Sequence, residues 1–391
     1  MPVKLLFFML ALASILGNPR GANAEGGSAL FQSDDNGRAW SLVIQRPPGQ
    51  SIFCLMIDPV VPDRLLIGTE QGSWVREGAD DWRPIPTLDE SNAGAVFGFA
   101  LDPANTQRMY AATELSVFRS IDGGHQWQRL DAAPVGSVAI SLGSYRDTAT
   151  AVFVGTADGL FVSVDDGINW ELSKNGLTGA VMAIAIGRNG ETFVGTSTGA
   201  HVRDANGDEF SPIRGVQMGA SRAAFAGNDG TAYVGVSSLL YQQTNGWHRL
   251  VTLPLAGTGD QPGITVIFPT GDGRVLVGTE KGLHSSDKWQ LVPPFDSMSN
   301  LEIGSIVRDA FTTDRLFATG SAVPHAITLA RVNVAFNAST AEPDLSVISL
   351  ALGVFFLAFG FMAIRYINRP QQDQSLDRPG DPPAGNSSRF D

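Results

Sequence analysis

The chain has 391 residues, of which 43% are hydrophobic and 17% charged, and it contains 44 Gly, 22 Pro and one Cys. This composition excludes collagen-like, disordered and disulfide-built proteins, and the single Cys54 excludes an intrachain disulfide and a cysteine-based zinc site. Gly and Pro spread along the chain are typical of short strands joined by tight turns, so we expect an all-β fold.

The first 24 residues have the order of a secretory signal peptide. Lys4 precedes an apolar stretch over 5–16, and the small residues of Ala22-Asn23-Ala24 offer a cleavage site after Ala24. This stretch is shorter than the roughly 20 residues that a spanning helix needs, so an uncleaved anchor is the alternative to cleavage. The sequence therefore predicts a signal peptide over 1–24 and an ectodomain over 25–340.

The ectodomain contains an internal repeat. A Gly-Thr pair or a close variant ends a β-rich run about every 40 residues, beginning at Gly68, Ala112, Gly155, Gly195, Gly235, Gly278 and Ala318. An aromatic residue marks each unit, at Trp40, Trp82, Trp127, Trp170, Phe210, Trp247 and Trp289. Within a unit, apolar strands alternate with turns such as Asp-Pro and Asn-Gly, which favour hairpins. Four strands per unit, repeated radially, predict a β-propeller.

The number of units and the position of the first one predict seven blades. Strands near 29–45 precede the first complete unit, so we expect them to complete the blade begun by Ile303–Gly320 and to close the ring from both ends of the ectodomain. The alternative is that 326–336 supplies the third strand of that blade, with the N-terminal strands as an outer addition.

Three turns share the pattern S-x-D-x-G-x-x-W. It resembles the Asp-box, or bacterial neuraminidase repeat, of sialidase-like, sortilin-like and photosystem II assembly factor propellers. In those families the box stabilises a turn away from the active centre, so the resemblance implies a structural role and no calcium site. Its residues here are Ser33, Asp35, Gly37 and Trp40; Ser120, Asp122, Gly124 and Trp127; and Ser163, Asp165, Gly167 and Trp170.

The opposite face of the propeller offers a candidate binding rim. Glu70, Glu114, Asp158 and Glu280 follow the Gly-Thr pair in four units, so the repeat predicts them around one end of the central channel. Such carboxylates suit a cation or a basic partner, and the alternative is ordinary solvated surface charge. The five His show no metal-ligand spacing, and we predict neither a metal nor a cofactor.

The C-terminal region predicts a membrane anchor. Residues 345–364 form a charge-free apolar run, which we extend to a transmembrane helix over 344–365. Arg365 and Arg369 follow the run, so the positive-inside rule places the C-terminus in the cytoplasm and the propeller outside it. The tail over 366–391 is polar and Pro-rich, and we expect it to be disordered.

The net charge of the ectodomain and the lack of a recognisable catalytic pair reduce the number of candidate functions. From Glu25 to Asp344 there are 21 basic and 35 acidic residues, a net charge of −14, which disfavours nucleic acid as a partner. A sialidase, as the resemblance describes it, needs a Tyr nucleophile paired with Glu, and none of the four ectodomain Tyr has an obvious Glu partner. We assign no catalytic residue. We predict a single-pass, membrane-anchored scaffold that binds a protein partner at the membrane surface, and the alternative is a carbohydrate-binding protein or glycoside hydrolase.

Overall fold

The computed structural model describes residues 28–43, 51–286 and 298–321, apart from 103, 146–147, 228, 245, 253–261 and 271. Within these residues every regular element is a β-strand. The strands form seven antiparallel sheets, six with four strands and one with three described strands. The predictions of an all-β class and of seven blades are therefore confirmed.

The strands follow the predicted repeat. β1 (Ser28–Ser33) and β2 (Ser41–Leu42) come first along the chain. Blade 1 has β3 (Ile52–Ile57), β4 (Arg64–Thr69), β5 (Gly72–Glu77) and β6 (Arg83–Asp89); blade 2 has β7 (Val96–Leu101), β8 (Met109–Thr113), β9 (Val117–Ser120) and β10 (Gln128–Leu130). Blade 3 has β11 (Ala139–Tyr145), β12 (Thr148–Gly155), β13 (Leu160–Ser163) and β14 (Glu171–Ser173); blade 4 has β15 (Val181–Ile186), β16 (Thr192–Thr196), β17 (Ala200–Arg203) and β18 (Ser211–Pro212). Blade 5 has β19 (Ala223–Ala226), β20 (Ala232–Val236), β21 (Leu239–Gln243) and β22 (Trp247–Thr252); blade 6 has β23 (Ile264–Pro269), β24 (Val275–Thr279) and β25 (Gly282–Ser285); blade 7 begins with β26 (Glu302–Arg308) and β27 (Leu316–Ser321).

Blade 7 is closed by the N-terminal strands. β27 pairs with β1 from Ser28 opposite Ser321 to Ser33 opposite Leu316, and β2 adds the outer strand. This confirms the predicted closure. The alternative third strand over 326–336 is wrong, because β1 already occupies that place in the sheet; residues 326–336 themselves lie outside the described residues.

The first strands of the blades line the centre of the ring. β3, β7, β11, β15, β19, β23 and β26 contact one another in sequence, and β26 contacts β3. Apolar side chains fill the spaces between neighbouring sheets: Leu66 of blade 1 packs in one cluster with Val96, Met109 and Trp127 of blade 2. Burial between sheets is thus what holds the blades together.

The glycine of the Gly-Thr pair lets neighbouring blades approach closely. A Cβ built on Gly68 would lie 2.5 Å from the carbonyl oxygen of Val96 in the next blade, and one on Gly195 would lie 2.4 Å from that of Ser221. Any side chain at these two positions would force the sheets apart. This explains why Gly recurs here in most units.

Because the sheets are antiparallel, their turns divide between two faces. We call the end with the turns between second and third strands the rim face, and the end with the turns between first and second and between third and fourth strands the box face. The predicted signal peptide (1–24), the transmembrane segment (344–365), the tail (366–391) and Trp289 lie outside the described residues. Within the described part, no helix is long and apolar enough to cross a bilayer.

Candidate functional site

The turns of the rim face share one internal hydrogen bond. The hydroxyl of Thr69 donates to the carbonyl oxygen of Gly72 at 2.8 Å, three residues later. The equivalent threonines of four other units donate to the carbonyl three residues later in the same way, Thr156, Thr196 and Thr279 after a Gly and Thr113 after Ala112. This bond fixes the turn that carries each predicted rim carboxylate.

Two of the four predicted rim carboxylates are held by backbone hydrogen bonds. The backbone N–H of Glu114 donates to the carbonyl of Ala95 at 2.8 Å, and the N–H of Ala95 donates back to Oε2 of Glu114 at 3.3 Å. Glu280 and Gly263 make the same reciprocal pair, with both distances 3.1 Å. These two side chains therefore tie the turn to the start of the first strand of their own blade.

Glu280 also belongs to an ionic network at the mouth of the channel. Nη2 of Arg222 lies 2.5 Å from Oε1 of Glu280, and Nη1 lies 3.6 Å from Oε1 of Glu302. Glu302 is buried, whereas Arg222 and Glu280 are half-buried. The network links blades 5, 6 and 7 and has two carboxylates for one guanidinium.

Glu70 and Asp158 are placed differently from this pair. Glu70 occupies the same turn position as Glu114, and its N–H donates to the carbonyl of Ser51 at 3.2 Å. Asp158 lies one residue further along its turn and is exposed, because Ala157 takes the position after Thr156. Among the residues that the structure describes, the carboxylates of Glu70 and Asp158 accept no hydrogen bond from a side chain. The four carboxylates thus lie on the rim face of four different blades.

A layer of bulged residues lines the channel near the rim face. The register of the first strand shifts at Phe53, Phe97, Met182, Thr265 and Gly304. A bulge re-aims the side chain of its extra residue, and these five residues are half-buried while the residue before each is buried. The rings of Phe53 and Phe97 lie 5.3 Å apart across two blades. The channel mouth therefore combines an aromatic pair on blades 1 and 2 with the ionic network on blades 5 to 7.

The three Asp-boxes lie on the box face and close the turn between the third and fourth strands. In the blade 2 box, Oδ1 of Asp122 accepts the Ser120 hydroxyl at 2.8 Å and the N–H groups of His125 and Gln126 at 3.0 and 2.9 Å. The Ser120 hydroxyl oxygen in turn accepts the N–H of Gly124 at 2.8 Å. The same bonds from the equivalent serine to the aspartate and from the glycine N–H to that serine recur at Ser33, Asp35 and Gly37 and at Ser163, Asp165 and Gly167.

The glycine and the aromatic residue of each box also have defined roles. Gly37, Gly124 and Gly167 have φ of +85°, +81° and +87°, which favours glycine. The indole N–H groups of Trp127 and Trp170 donate to the carbonyl oxygens of Gly124 and Gly167, at 3.1 and 3.0 Å.

Hydrogen bonding lowers the pKa of all three box aspartates. Burial by itself would raise the pKa of Asp122, but the N–H groups of Gln126 and His125 and the Ser120 hydroxyl hold it below its ordinary value. The pKa of Asp35 is lowered in the same way against burial. For Asp165 the bond from the Asn169 N–H has the largest effect, and it lowers the pKa. The bonds that close the turns thus also keep these carboxylates ionised.

Two boxes that lack the serine and aspartate use arginine instead. Arg76 and Arg203 occupy the place of the box serine in blades 1 and 4. The guanidinium of Arg76 lies 5.4 Å from the ring of Trp82, and that of Arg203 lies 4.8 Å from Phe210 and 4.7 Å from Tyr145. A cation on an aromatic face replaces the serine hydrogen bonds there. Neither arginine was predicted from the sequence; the available signal was the distance from the preceding threonine, because Arg76 and Arg203 lie seven residues after Thr69 and Thr196 as the box serines of blades 2 and 3 do after theirs.

The described residues contain no group of three or more His, Cys, Asp or Glu arranged to hold a metal ion. Two of the five His, His201 and His284, are buried within third strands. Cys54 is buried in blade 1, and burial raises the pKa of its thiol to about 12. These positions give the three side chains packing roles.

Solved structures share this fold. A GH74 xyloglucanase from Xanthomonas campestris is similar with a TM-score of 0.55 and 17% identity over 75% of this chain and 52% of the enzyme. The extracellular domain of a putative hybrid two-component system from B. thetaiotaomicron gives 0.55 and 16%, over 74% of this chain and 39% of that one. YCF48 bound to D1 peptide gives 0.52 and 15%, over 70% of this chain and 93% of that one.

These likenesses are limited in extent and identity. The chain spans about half the length of the xyloglucanase and an even smaller share of the two-component domain. No family model and no curated protein matches the sequence. At these identities the comparisons establish the fold, and the chain is a seven-bladed β-propeller of the architecture found in the GH74, YCF48 and two-component ectodomain structures.

Proposed function

We propose that this chain is a non-catalytic protein-binding or complex-assembly scaffold, anchored in a membrane by 344–365, with its propeller outside the cytoplasm. The rim face carries the proposal. There the turn carboxylates Glu114 and Glu280 are engaged by backbone N–H groups of their own blades. Rim turns on six blades, five of them fixed by the same threonine hydrogen bond, are suited to broad contact with a protein surface, in the way that propeller and loop scaffolds position binding residues.

The share of each structural neighbour that this chain covers supports the same proposal. The chain matches 93% of YCF48, which was solved with a D1 peptide, but only 52% of the xyloglucanase. This chain and the peptide-bound structure therefore share one whole propeller, whereas about half of the enzyme has no counterpart here. We infer that peptide or protein recognition is the better model for this propeller.

Carbohydrate binding is a second candidate, and the channel mouth favours it. Phe53 and Phe97 form an aromatic surface on the rim side of the channel, and Glu280 and Glu302 lie on the same side. Aromatic faces with nearby polar groups are a general feature of small-ligand sites. A hydrolase would further need two carboxylates about 5 to 10 Å apart on either side of a sugar bond.

Crosslinking and affinity capture of the full chain from native membranes test the scaffold proposal. We expect one partner to be recovered reproducibly, and its yield to fall in the double variant Glu70→Gln/Asp158→Asn, whose side chains make no bond that holds a turn. Asp229→Asn on the box face is the matched control and should leave the yield unchanged. Recovery of the chain alone, together with binding on a glycan array or release of sugar from xyloglucan, would replace the scaffold by the carbohydrate candidate.

A further inference from the structure

Exposed apolar side chains cluster on one half of the box face. Ile121 is 72% exposed and Ile168 63%, far above what their type usually shows. They lie in the box turns of blades 2 and 3. Other exposed apolar side chains lie in the turns between the first and second strands of blades 7 and 1. We call this set the apolar arc; its members are Val60, Val61, Ile121, Val164, Ile168 and Phe311.

The other half of the box face has a different character. The turns between first and second strands in blades 4, 5 and 6 read Gly187-Arg188-Asn189-Gly190, Gly227-Asn228-Asp229-Gly230 and Gly271-Asp272-Gly273. These turns hold no large apolar residue, so tight turns on this face do not require one. The apolar side chains of the arc are therefore not a by-product of turn formation.

The loops of the arc are in contact from blade to blade. Arg315 of blade 7 pairs with Asp63 of blade 1 at 2.9 Å. Arg64 of blade 1 donates to the carbonyl of Gly123 in the blade 2 box at 2.5 Å, and Arg108 of blade 2 pairs with Asp166 of the blade 3 box at 2.8 Å. The arc is thus one continuous surface over four adjacent blades.

The ion pairs of this surface present their carboxylates outward. Asp34 and Asp63 are 64% and 52% exposed, whereas their partner Arg315 is 28% exposed. Asp166 is likewise more exposed than Arg108. Two pairs are exceptions: Arg38, at the edge next to blade 6, is more exposed than its partner Asp272, and Arg83 in blade 1 is 58% exposed against 37% for Glu77. A partner of this surface therefore meets apolar side chains interspersed with negative charge.

The described ends of the propeller lie on the face opposite the arc. Ser28 and Ser321 are paired at the rim end of blade 7, so the chain enters and leaves the propeller at the rim face. An anionic membrane surface, or a second copy of this acidic chain, would bring like charges onto the exposed aspartates.

We propose that the apolar arc is a docking surface for a protein partner that presents apolar side chains flanked by Lys or Arg. The inference rests on the proposed scaffold function and adds to the rim face a second binding face, on the opposite side of the propeller, with a stated partner chemistry. Exposed apolar patches rimmed by polar groups mark interaction sites in soluble proteins, and opposite charges select the partner and its orientation.

Site-specific photocrosslinking of the full chain in native membranes tests the docking surface. A benzophenone side chain is placed at Ile121 or Ile168 in the arc, at Asp229 on the polar half of the box face, or at Asp158 on the rim face. We expect one discrete protein adduct from both arc positions and none from Asp229. Identified and purified, that protein should bind the chain at least ten times more weakly when Val164 is changed to Asp, and equally well in Asp229→Asn.

Each other outcome overturns a defined part of the proposal. An adduct of twice the chain mass, or one with lipid, would replace the protein partner by a second copy or by the membrane. Adducts from Asp158 alone would reject the arc and leave the scaffold function standing, whereas no adduct from any position would reject both. Circular dichroism and thermal unfolding check that Val164→Asp is folded; should it not be, Ile121→Ser in the partner-binding assay, with the same tenfold expectation, replaces it.

Discussion

Arg64 of blade 1 donates a hydrogen bond to the backbone carbonyl oxygen of Gly123 in the Asp-box of blade 2. Its guanidinium also bonds to the carbonyl of Gly124 and lies 2.6 Å from Oδ2 of Asp58. Both charged side chains are almost completely buried, at 2% and 3% exposure. The arginine therefore locks the box of one blade onto the first turn of the blade before it.

Replacing Arg64 by Met should lower the free energy of unfolding by about 3 to 5 kcal/mol, because Asp58 then keeps a buried charge without its partner. Urea denaturation measures this change. Arg38→Met is the matched control, since Arg38 is exposed and pairs with Asp272 at the surface, where such pairs contribute at most about 1 kcal/mol. Equal costs for the two variants would show that the buried arginine does not hold the blades together.

The two box tryptophans Trp127 and Trp40 give a second prediction. Both are buried, but only the indole N–H of Trp127 has a hydrogen-bond partner, Gly124; that of Trp40 has none within the described chain. Trp127→Phe should therefore destabilise the protein by about 1 kcal/mol more than Trp40→Phe. Chemical denaturation of the two variants measures the difference. A larger loss from Trp40→Phe would contradict these hydrogen-bond assignments.

Trp127→Ala extends the test to packing. Trp127 lies in the cluster between blades 1 and 2, so its removal should cost about 3 to 5 kcal/mol. A cost below about 0.5 kcal/mol, typical of a surface position, would contradict its place between the sheets.

The repeat made the fold predictable, and its limits have a physical origin. The Gly-Thr pairs and the boxes recur because each blade must make the same turns, so blade number and closure follow from their spacing. The bond from Arg64 to Gly123 joins residues 59 apart along the chain and uses a backbone acceptor, which leaves no local pattern. Arg76 and Arg203 were missed for a related reason, because they replace the box motif instead of matching it.

The rim illustrates the same limit for the candidate site. Glu114 and Glu280 lie in equivalent turns of one face, and their part in binding stays a prediction. Whether such a side chain points to solvent or bends back to a backbone N–H is set by the approach of Ala95 or Gly263, 19 and 17 residues away. The exposed carboxylates and the structural ones are therefore indistinguishable from sequence spacing alone.

The predicted anchor can be tested by membrane extraction. The full chain should stay in the membrane pellet after alkaline carbonate treatment, because 345–364 is long and apolar enough to span a bilayer. A chain ending at residue 339, exported in the same way, should be released to the soluble fraction. Release of the full chain by carbonate would show that this segment does not span the membrane.

His284 should make the stability of the propeller depend on pH. It lies on β25, is buried, and neither ring nitrogen has a hydrogen-bond partner within the described residues. Burial lowers the pKa of His284 to about 4, against about 6.5 in the unfolded chain. As the pH falls from about 6.5 to about 4, the unfolded state takes up a proton that the folded state does not, so the free energy of unfolding decreases, by about 2 kcal/mol between pH 7 and pH 5.

His284→Phe should remove most of this slope, because Phe118 and Phe161 occupy the same register position in blades 2 and 3 and show that the site accepts a phenyl ring. Urea denaturation at pH 7 and pH 5 measures the slope. His201, whose pKa burial also lowers, should supply the remainder, and the exposed His125, changed to Gln, is the control that leaves the slope intact. The box aspartates do not interfere, since their lowered pKa values keep them ionised throughout this range. An unchanged slope in His284→Phe would mean that the imidazole is protonated, and therefore hydrated or paired, in the folded protein.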